Sequence, residues 1–468
     1  MISSSWIFTS ILLHVLNSFL VYLITKRLLA VLQISKESII AFFASLIFLI
    51  SPYQTEDVLW VALSIRWLFH TFLMLAGLYL FISHLSNPSV KKIISIHVLF
   101  ILALFSYELT FIFPILLAVI YFLFHYARKT NCTLIVLLKQ FFFPQVALII
   151  IYFFICKFFY GYWLWHVGPV STFTQTTSYH ETLLKYFAKF FLFYRYLQVD
   201  YFDNIFRGIS ANSIFTICLF ISLIIGSALL FLKAIKNNSV TGYFLLCMFL
   251  SFIISLIPVL PLDSSFLSYI YPDRYGYLSS VFFYIFLVSA IVFLFKKISV
   301  SVLIGYSFLC WILLMKTIPV WNETNNYCNN LIQNFKPFLK YDKIYTLNIP
   351  AYYKGVAAFR TSFDVSVYMK LEKISLEKIQ MISESYIESP ADTLAFVKVT
   401  NNSVEVKGRK KKTPYFSTLG GWAKSYDTDE YKVTFDPTRC SYMLQFRKDI
   451  PPNSAFVYVS NGEWKKVE

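Results

Sequence analysis

Charge is what this chain has least of. Only 14% of its 468 residues are Asp, Glu, Lys or Arg, against about 25% in an ordinary soluble domain. That is too little to cover a water-facing surface of this size, which excludes a cytosolic enzyme and a disordered chain. Glycine is sparse too, 13 residues, so a collagen-like fibre is excluded. Seven cysteines in so long a chain do not make a disulfide mini-protein. They form no C-x-x-C pair and no His/Cys ligand spacing, so no metal site of that type is expected. The first apolar stretch has no basic residue before it and no A-x-A-like site after it, and is read as an uncleaved helix. Long runs such as Ile214–Leu232 lack period-2 alternation, which excludes a strand barrel. No internal repeat is found.

What the chain has in quantity is apolar surface. Hydrophobic residues make up 57% and aromatics 20%, with 50 Phe and 33 Tyr, and the mean hydropathy is +0.62. A crossing helix needs about 20 apolar residues for about 30 Å of hydrocarbon. About ten stretches meet that need: 6–25, 38–52, 58–82, 93–107, 109–126, 137–158, 212–233, 241–262, 275–295 and 298–318. Every second connection is basic: Lys26, Arg27 and Lys36; Lys91 and Lys92; Arg128, Lys129 and Lys139; Lys233 and Lys236; Lys296 and Lys297. The alternate connections carry Glu56, Asp57, Glu108, Asp263, Asp273 and Arg274. The positive-inside rule makes the basic set cytoplasmic and puts both termini outside. The net charge of +16 is then mostly topological, and no nucleic-acid partner is expected.

Two parts extend from the expected bundle. A long outer loop near 159–211 is dense in Trp and Tyr, which favour the headgroup level. Its segment 181–197 suits an amphipathic helix. It reads either as a lid packed on the bundle or as a place where Lys185 and Lys189 meet a lipid phosphate. From about residue 320 the polar fraction rises. Segments Lys343–Leu347, Asp392–Val399, Ser403–Val406, Tyr431–Phe435, Tyr442–Phe446 and Ala455–Val459 read as strands between turn signals. Residues Ser366–Ser383 read as one or two helices. The expected fold is therefore an all-α polytopic membrane bundle, residues 1–320. A small extracytoplasmic α+β or mostly-β domain, 321–468, follows it. Cys328 and Cys440 are the only cysteines in that domain, and an oxidising compartment would allow them to pair. The run Gly408–Lys412 reads as a solvated turn, or as a contact for a membrane surface or an acidic glycan.

Ionisable groups near a membrane plane are functional candidates, because an unpaired charge in hydrocarbon is costly. The hairpin Ser51-Pro-Tyr-Gln-Thr-Glu56-Asp57-Val-Leu-Trp60 precedes Arg66 by two to three turns. An acid–base set there could hold a phosphate-bearing donor or take a proton from an acceptor hydroxyl; a purely structural pair is the other reading. Glu108 stands at a second outer tip. The stretch Asp273-Arg274-Tyr275-Gly-Tyr277 offers a guanidinium fork suited to phosphate. Its tyrosines could stack on a sugar or belong to the aromatic belt. His14 and Asn17, at i and i+3, read as a polar contact inside the bundle.

The order of these elements resembles the GT-C superfamily of polytopic glycosyltransferases. The likeness is nearest to the branch with the transmembrane O-mannosyltransferases bearing TPR tails and their bacterial relatives. It rests on His14-x-x-Asn17, on Pro52, Thr55, Glu56, Val58 and Arg66 in the hairpin, and on Ser106-Tyr107-Glu108. Arg274, Tyr275, Tyr277, Leu278 and Ser280 complete it, and it covers roughly residues 6–320. Ser51 stands where the family usually has His. Met1 falls just before what resembles the family's second span, so its first span and first outer loop, with an acidic residue, have no counterpart. The resemblance implies transfer of a sugar from a polyprenyl-phosphate donor to a glycan, lipid or protein acceptor at the outer face of the plasma membrane. Arg66 and Arg274 would neutralise the phosphate leaving group, with Asp273, Tyr275 and Tyr277 beside them. Glu56, Asp57 or Glu108 would supply the base. Family members often use a divalent cation, which no residue pattern here fixes. A lipid-linked glycan transporter or an inactive assembly scaffold is the alternative.

Overall fold

The computed structural model describes residues 2–127, 129–130, 132–161, 163, 179–196, 240–260, 273–360, 363–371, 375–387, 395–400, 402–408, 415–418, 424–438 and 440–467. The expected span 212–233 and the run Arg409–Lys412 lie outside them. The chain divides into two compact units, Met1–Met315 and Lys316–Glu468.

The first unit is helical. Its elements are α1 (Ile2–Val31), α2 (Glu37–Ile50), α3 (Thr55–Leu59), α4 (Val61–Ser86), α5 (Val90–Ser106) and α6 (Phe113–Tyr126). They are followed by α7 (Leu134–Tyr160, with a π turn at Leu138–Phe142), α8 (Tyr179–Leu192), α9 (Val240–Leu256), α10 (Tyr277–Phe295) and the first part, to Met315, of α11 (Ser299–Phe335). Among the described residues, seven helices are long and apolar enough to cross a membrane. An eighth is added if α2 and the bent segment Pro52–Leu59 form one span. Helix α1 packs on α2 and α4, α4 on α5, α2 on α10, and α10 on α9.

The faces of α1 are inverted relative to a water-soluble helix. Phe8, Ile11, Leu12, Val15 and Phe19 are exposed, while Ser10, His14, Asn17 and Ser18 are buried. Spacings of three and four put each set on one face. Most of the inward polar groups are bonded: His14 bonds the Tyr277 hydroxyl at 2.8 Å and Leu49 O at 3.0 Å. Ser10 meets Ser64 at 2.7 Å.

The second unit is rich in β structure. Strands β1 (Lys343–Thr346), β2 (Ile349–Tyr353), β3 (Val356–Ala357), β4 (Ile379–Met381), β5 (Glu384–Ile387), β6 (Ala395–Val399) and β7 (Ser403–Gly408) come first. Strands β8 (Tyr415–Ser417), β9 (Ser425–Asp427), β10 (Tyr431–Phe435), β11 (Ser441–Phe446), β12 (Ser454–Ser460) and β13 (Glu463–Lys466) follow. They form sheets ordered β13-β12-β1-β4, β6-β7-β11-β10-β9 and β3-β2-β5-β8. β1 runs parallel to both β12 and β4. Such strands are buried on both faces, and β1 shows it: Ile344 enters one core with Val457 and Phe335, and Tyr345 enters another with Phe446 and Phe456.

Three expectations change here. The helix expected to end near 318 runs to Phe335, because its last turns carry Leu331, Ile332 and Phe335 into the second unit's core. Residues 366–383 hold the end of one helix, α12 (Phe363–Lys370), then a 3-10 turn and β4. Cys328 and Cys440 are not joined in a disulfide. Cys328 packs beside the core from α11, while Cys440 sits in the β10–β11 turn, its Sγ directed to Thr438 O.

Candidate functional site

The hairpin after α2 is shaped by proline. A residue before proline is driven to extended backbone, and Ser51 has φ −63° and ψ 131°. Pro52–Gln54 then makes a 3-10 turn, and Thr55–Leu59 one turn of α-helix. Trp60, at φ −82° and ψ 79°, separates that turn from α4. Glu56 and Asp57 therefore stand on a short, bent segment set 54° from α2.

Arg274 comes to this segment from 218 residues away, on the 3-10 turn Asp273–Gly276 that opens α10. Its backbone N–H donates to Glu56 Oε2 at 2.8 Å, and its guanidinium pairs with Glu56 Oε1. The same guanidinium donates to the Tyr275 hydroxyl at 2.9 Å and lies over Tyr275 at 4.4 Å and Trp60 at 4.9 Å. Next door, Asp273 takes Lys189 Nζ at 2.5 Å and Arg195 Nη1 at 2.5 Å. Arg195 also donates to Pro52 O at 3.3 Å and lies 4.7 Å from the Tyr53 ring.

Glu56, Asp57, Asp273, Arg274 and Lys189 are at most 4% exposed. With Arg195 the set contains three carboxylates and three cations, 3 − 3 = 0. Charges removed from water need such matching, since an unpaired one costs several kcal/mol. One member is treated differently from the rest: neither oxygen of the buried Asp57 carboxylate has a hydrogen-bond partner.

A half-buried rim adjoins this layer. Arg66 donates from Nε to Ser106 O at 2.7 Å and lies 4.9 Å over Tyr107. Glu108 accepts from the Tyr152 hydroxyl at 3.1 Å. The Trp67 ring joins the two parts, 4.1 Å from Tyr107 and 5.5 Å from Tyr275. A ladder of rings thus links the Arg66–Glu108 tip to Arg274.

Two expected assignments are corrected by burial. Tyr277 is 1% exposed, and its hydroxyl is taken by His14 and by Asn17 Nδ2 at 3.2 Å, so it has no face for a sugar. Lys185 and Lys189 are buried too, and Lys189 is held by Asp273, so neither presents an ammonium to a lipid phosphate. Helix α8 turns these lysines inward because its Phe190 ring seats against Gly276, where a Cβ would stand 3.0 Å from Phe190 Cζ. Burial pulls the Lys189 ammonium below the usual lysine range, and the Asp273 carboxylate opposes that shift. After α8 the chain turns at Phe193 with φ 48°, a strained conformation for a bulky side chain. The turn brings Arg195 onto the second oxygen of Asp273. Arg195, a basic residue of the expected amphipathic segment 181–197, enters the site as a partner of Asp273. Its only local signal is a cation flanked by tyrosines, as common in an aromatic belt as in an ion pair.

The donor set does not fit a divalent cation. Glu56 and Asp273 are committed to Arg and Lys partners, which leaves Asp57 as one carboxylate. No three His, Cys, Asp or Glu side chains converge among the described residues. No protein-family model matches the chain, and no curated protein and no solved structure matches it.

Proposed function

We propose that this chain is a multi-pass membrane glycosyltransferase of GT-C type. It would take a sugar from a polyprenyl-phosphate donor at the outer face of the plasma membrane. Ten spans would place both termini, and the β-rich unit, on that side. One observation carries the reading: an acidic hairpin and a late Arg-Tyr motif, distant in sequence, meet in one buried, charge-balanced cluster. The inverted faces of α1 support a lipid surround, since apolar groups turned outward are stable only there.

In this reading Arg274 neutralises the phosphate that leaves with the bonding electrons. Its fork is fixed beforehand by Glu56, Trp60 and Tyr275, and fixed donors stabilise developing charge without reorganising. Arg66 faces the same ring ladder from the other end. Glu56 is occupied in holding Arg274, so the base is Asp57 or the half-buried Glu108. A closed ionic cluster is also what an inactive scaffold or a glycan transporter would keep. The two classes separate in proteoliposomes loaded with an undecaprenyl-phosphate-linked sugar. Transfer releases undecaprenyl phosphate; transport moves the intact donor. Arg274→Lys, which keeps the charge and loses the fork, should lower release about 10²-fold, the scale of one lost oxyanion donor. Movement of donor without cleavage would favour the transporter.

A further inference from the structure

Helices α2 and α10 pack side by side, and the two ends of the pair differ in charge. At one end stand the acidic hairpin and Arg274. At the other, about 21 Å away by the helical rise of the 14-residue α2, three lysines gather. Lys36 precedes α2, and Lys296 and Lys297 follow α10. Lys36 Nζ donates to Lys296 O at 3.0 Å, which joins two connections 260 residues apart.

The backbone is bent to make this contact. Lys36 has φ 63° and ψ 26°, and Lys296 has φ 42° and ψ −93°. Positive φ is uncommon outside glycine, and such strain persists only where the surrounding structure holds it. Ser299 Oγ donates to the same Lys296 O at 2.8 Å, so that carbonyl is engaged twice. All three lysines are exposed. Among the described residues, the side chains of Lys296 and Lys297 make no hydrogen bond or ion pair, and Lys36 meets a carbonyl, not a carboxylate. Glu37 is the one acidic residue within two positions of any of them. Lys92, by contrast, is taken up by Ser83 O and Asn87 O. The orientation rule asks for positive charge on this side of the bundle. Lysines anywhere in the connections would meet it, and it does not ask that two connections be bent into contact at them.

Apolar side chains stand around this charge. Ile39 and Phe42, three positions apart and so on one face of α2, are exposed. Leu294, Phe295 and Ile298, beside the lysines, are exposed as well. A free phosphate would use the ammonium groups and gain nothing from five apolar neighbours. A phospholipid matches both, its headgroup to the lysines and its chains to the helix faces; basic pockets between spans hold acidic headgroups in this way.

We infer that Lys36, Lys296 and Lys297, with the apolar faces beside them, form a site for one acidic glycerophospholipid. Its phosphodiester lies on the ammonium groups and its acyl chains run along α2 and α10. The site needs a bundle in a bilayer and is independent of the transferase reading.

The test uses the full chain in detergent micelles, with bound lipid counted by native mass spectrometry during titration with phosphatidylglycerol. The wild type should hold one phosphatidylglycerol in preference to phosphatidylcholine. A lysine near an anionic headgroup is worth about fivefold in affinity, so Lys296→Gln with Lys297→Gln should weaken phosphatidylglycerol about 25-fold. Phosphatidylcholine binding should not change, and Lys296→Arg with Lys297→Arg should keep most of the affinity. Lys26→Gln with Lys91→Gln removes two exposed lysines outside these connections and should leave the affinity unchanged. An unfolding midpoint equal to that of the wild type in phosphatidylcholine nanodiscs checks that each variant is folded. If the double variant is not, Lys297→Gln alone should still weaken phosphatidylglycerol about fivefold. Equal losses in the two glutamine pairs would overturn the site in favour of diffuse charge. Equal retention of the two lipids by the wild type would overturn it too. So would competition by glycerol 3-phosphate on equal terms, which would mark a free-phosphate site. No turnover is measured, so failure here leaves the transferase reading where it stands, and failure of that reading leaves the lipid site.

Discussion

An exposed side chain means one thing in the helical unit and another in the β-rich unit. On α1 the exposed positions are Phe8, Ile11, Val15 and Phe19 and the buried ones include His14 and Asn17. On β10 the order is reversed: Tyr431, Val433 and Phe435 are buried, and Lys432 and Thr434 are exposed. Both units obey the same rule, that surface matches surroundings. The surroundings differ. In water the driving force buries apolar area. In lipid that force is absent between helices, and packing and polar contacts select the inner face.

The largest effects test this reversal directly. Val433→Asp should unfold the β-rich unit, because it buries a charge with no partner in a core shared with Leu444 and Phe446; losses above about 4 kcal/mol belong to this mechanism. Thr434→Asp, one residue on, should stay within about 0.5 kcal/mol. On α1 the pattern inverts. Val15→Asp, at a position 45% exposed, should cost about 2.5–3.5 kcal/mol of membrane insertion. Urea unfolding of Lys316–Glu468 reads the first two, and glycosylation mapping of the inserted chain reads the third. A silent Val15→Asp would mean that α1 faces water.

A second contrast is between ion pairs. Arg274–Glu56 is buried, while Lys354–Glu323 in the second unit leaves its side chains 41% and 51% exposed. Truncating one partner of a buried pair strands the other, at about 3–5 kcal/mol. Exposed pairs are worth about 0–1 kcal/mol. Arg274→Ala should therefore destabilise the helical unit strongly, and Glu56→Gln with Arg274→Met should recover much of the loss. Glu323→Ala should be almost neutral. The comparison fails if the single and double variants in the helical unit melt alike.

How much of this the sequence discloses follows from range. Apolar runs and period-2 alternation are local, so α4, α7, β10 and β12 are legible from residue order alone. β2 is not: Ile349–Tyr353 is buried at all five positions, carries Pro350, and so shows no alternation. β13 is a short edge strand with one inward residue, Trp464, too little pattern to read. At the site, the acidic hairpin and Arg274 stand out because charge is rare there. Their pairing, and the choice between Glu56 and Asp57, depend on which oxygens are engaged, which spacing does not encode. Lys189 misleads for a physical reason. Its helix is amphipathic, but the polar face meets Asp273 and not a headgroup.

The smallest effects separate inward from outward packing within the helical unit itself. Gly276 and Gly305 both lack a side chain, but only one needs to. At Gly276 an added Cβ would lie 3.0 Å from Phe190 Cζ and 3.4 Å from Tyr186 Cε1. The Phe190 ring has little room to yield, being packed between Phe252 at 5.7 Å and Phe283 at 5.2 Å. Overpacking of this kind costs typically about 1–3 kcal/mol. Gly276→Ala should also loosen α8, and with it the Lys189–Asp273 pair, so donor-dependent activity should fall along with the melting temperature. At Gly305, within α11, an added Cβ meets nothing within 4 Å. Alanine there removes backbone freedom from the unfolded chain and should stabilise by about 0.5–1 kcal/mol. Thermal unfolding of the two variants in one detergent checks the pair. Opposite signs are expected; a neutral Gly276→Ala would mean that α8 docks on the bundle without the close seat at the head of α10, and that the Asp273 cluster is held by its ion pairs alone.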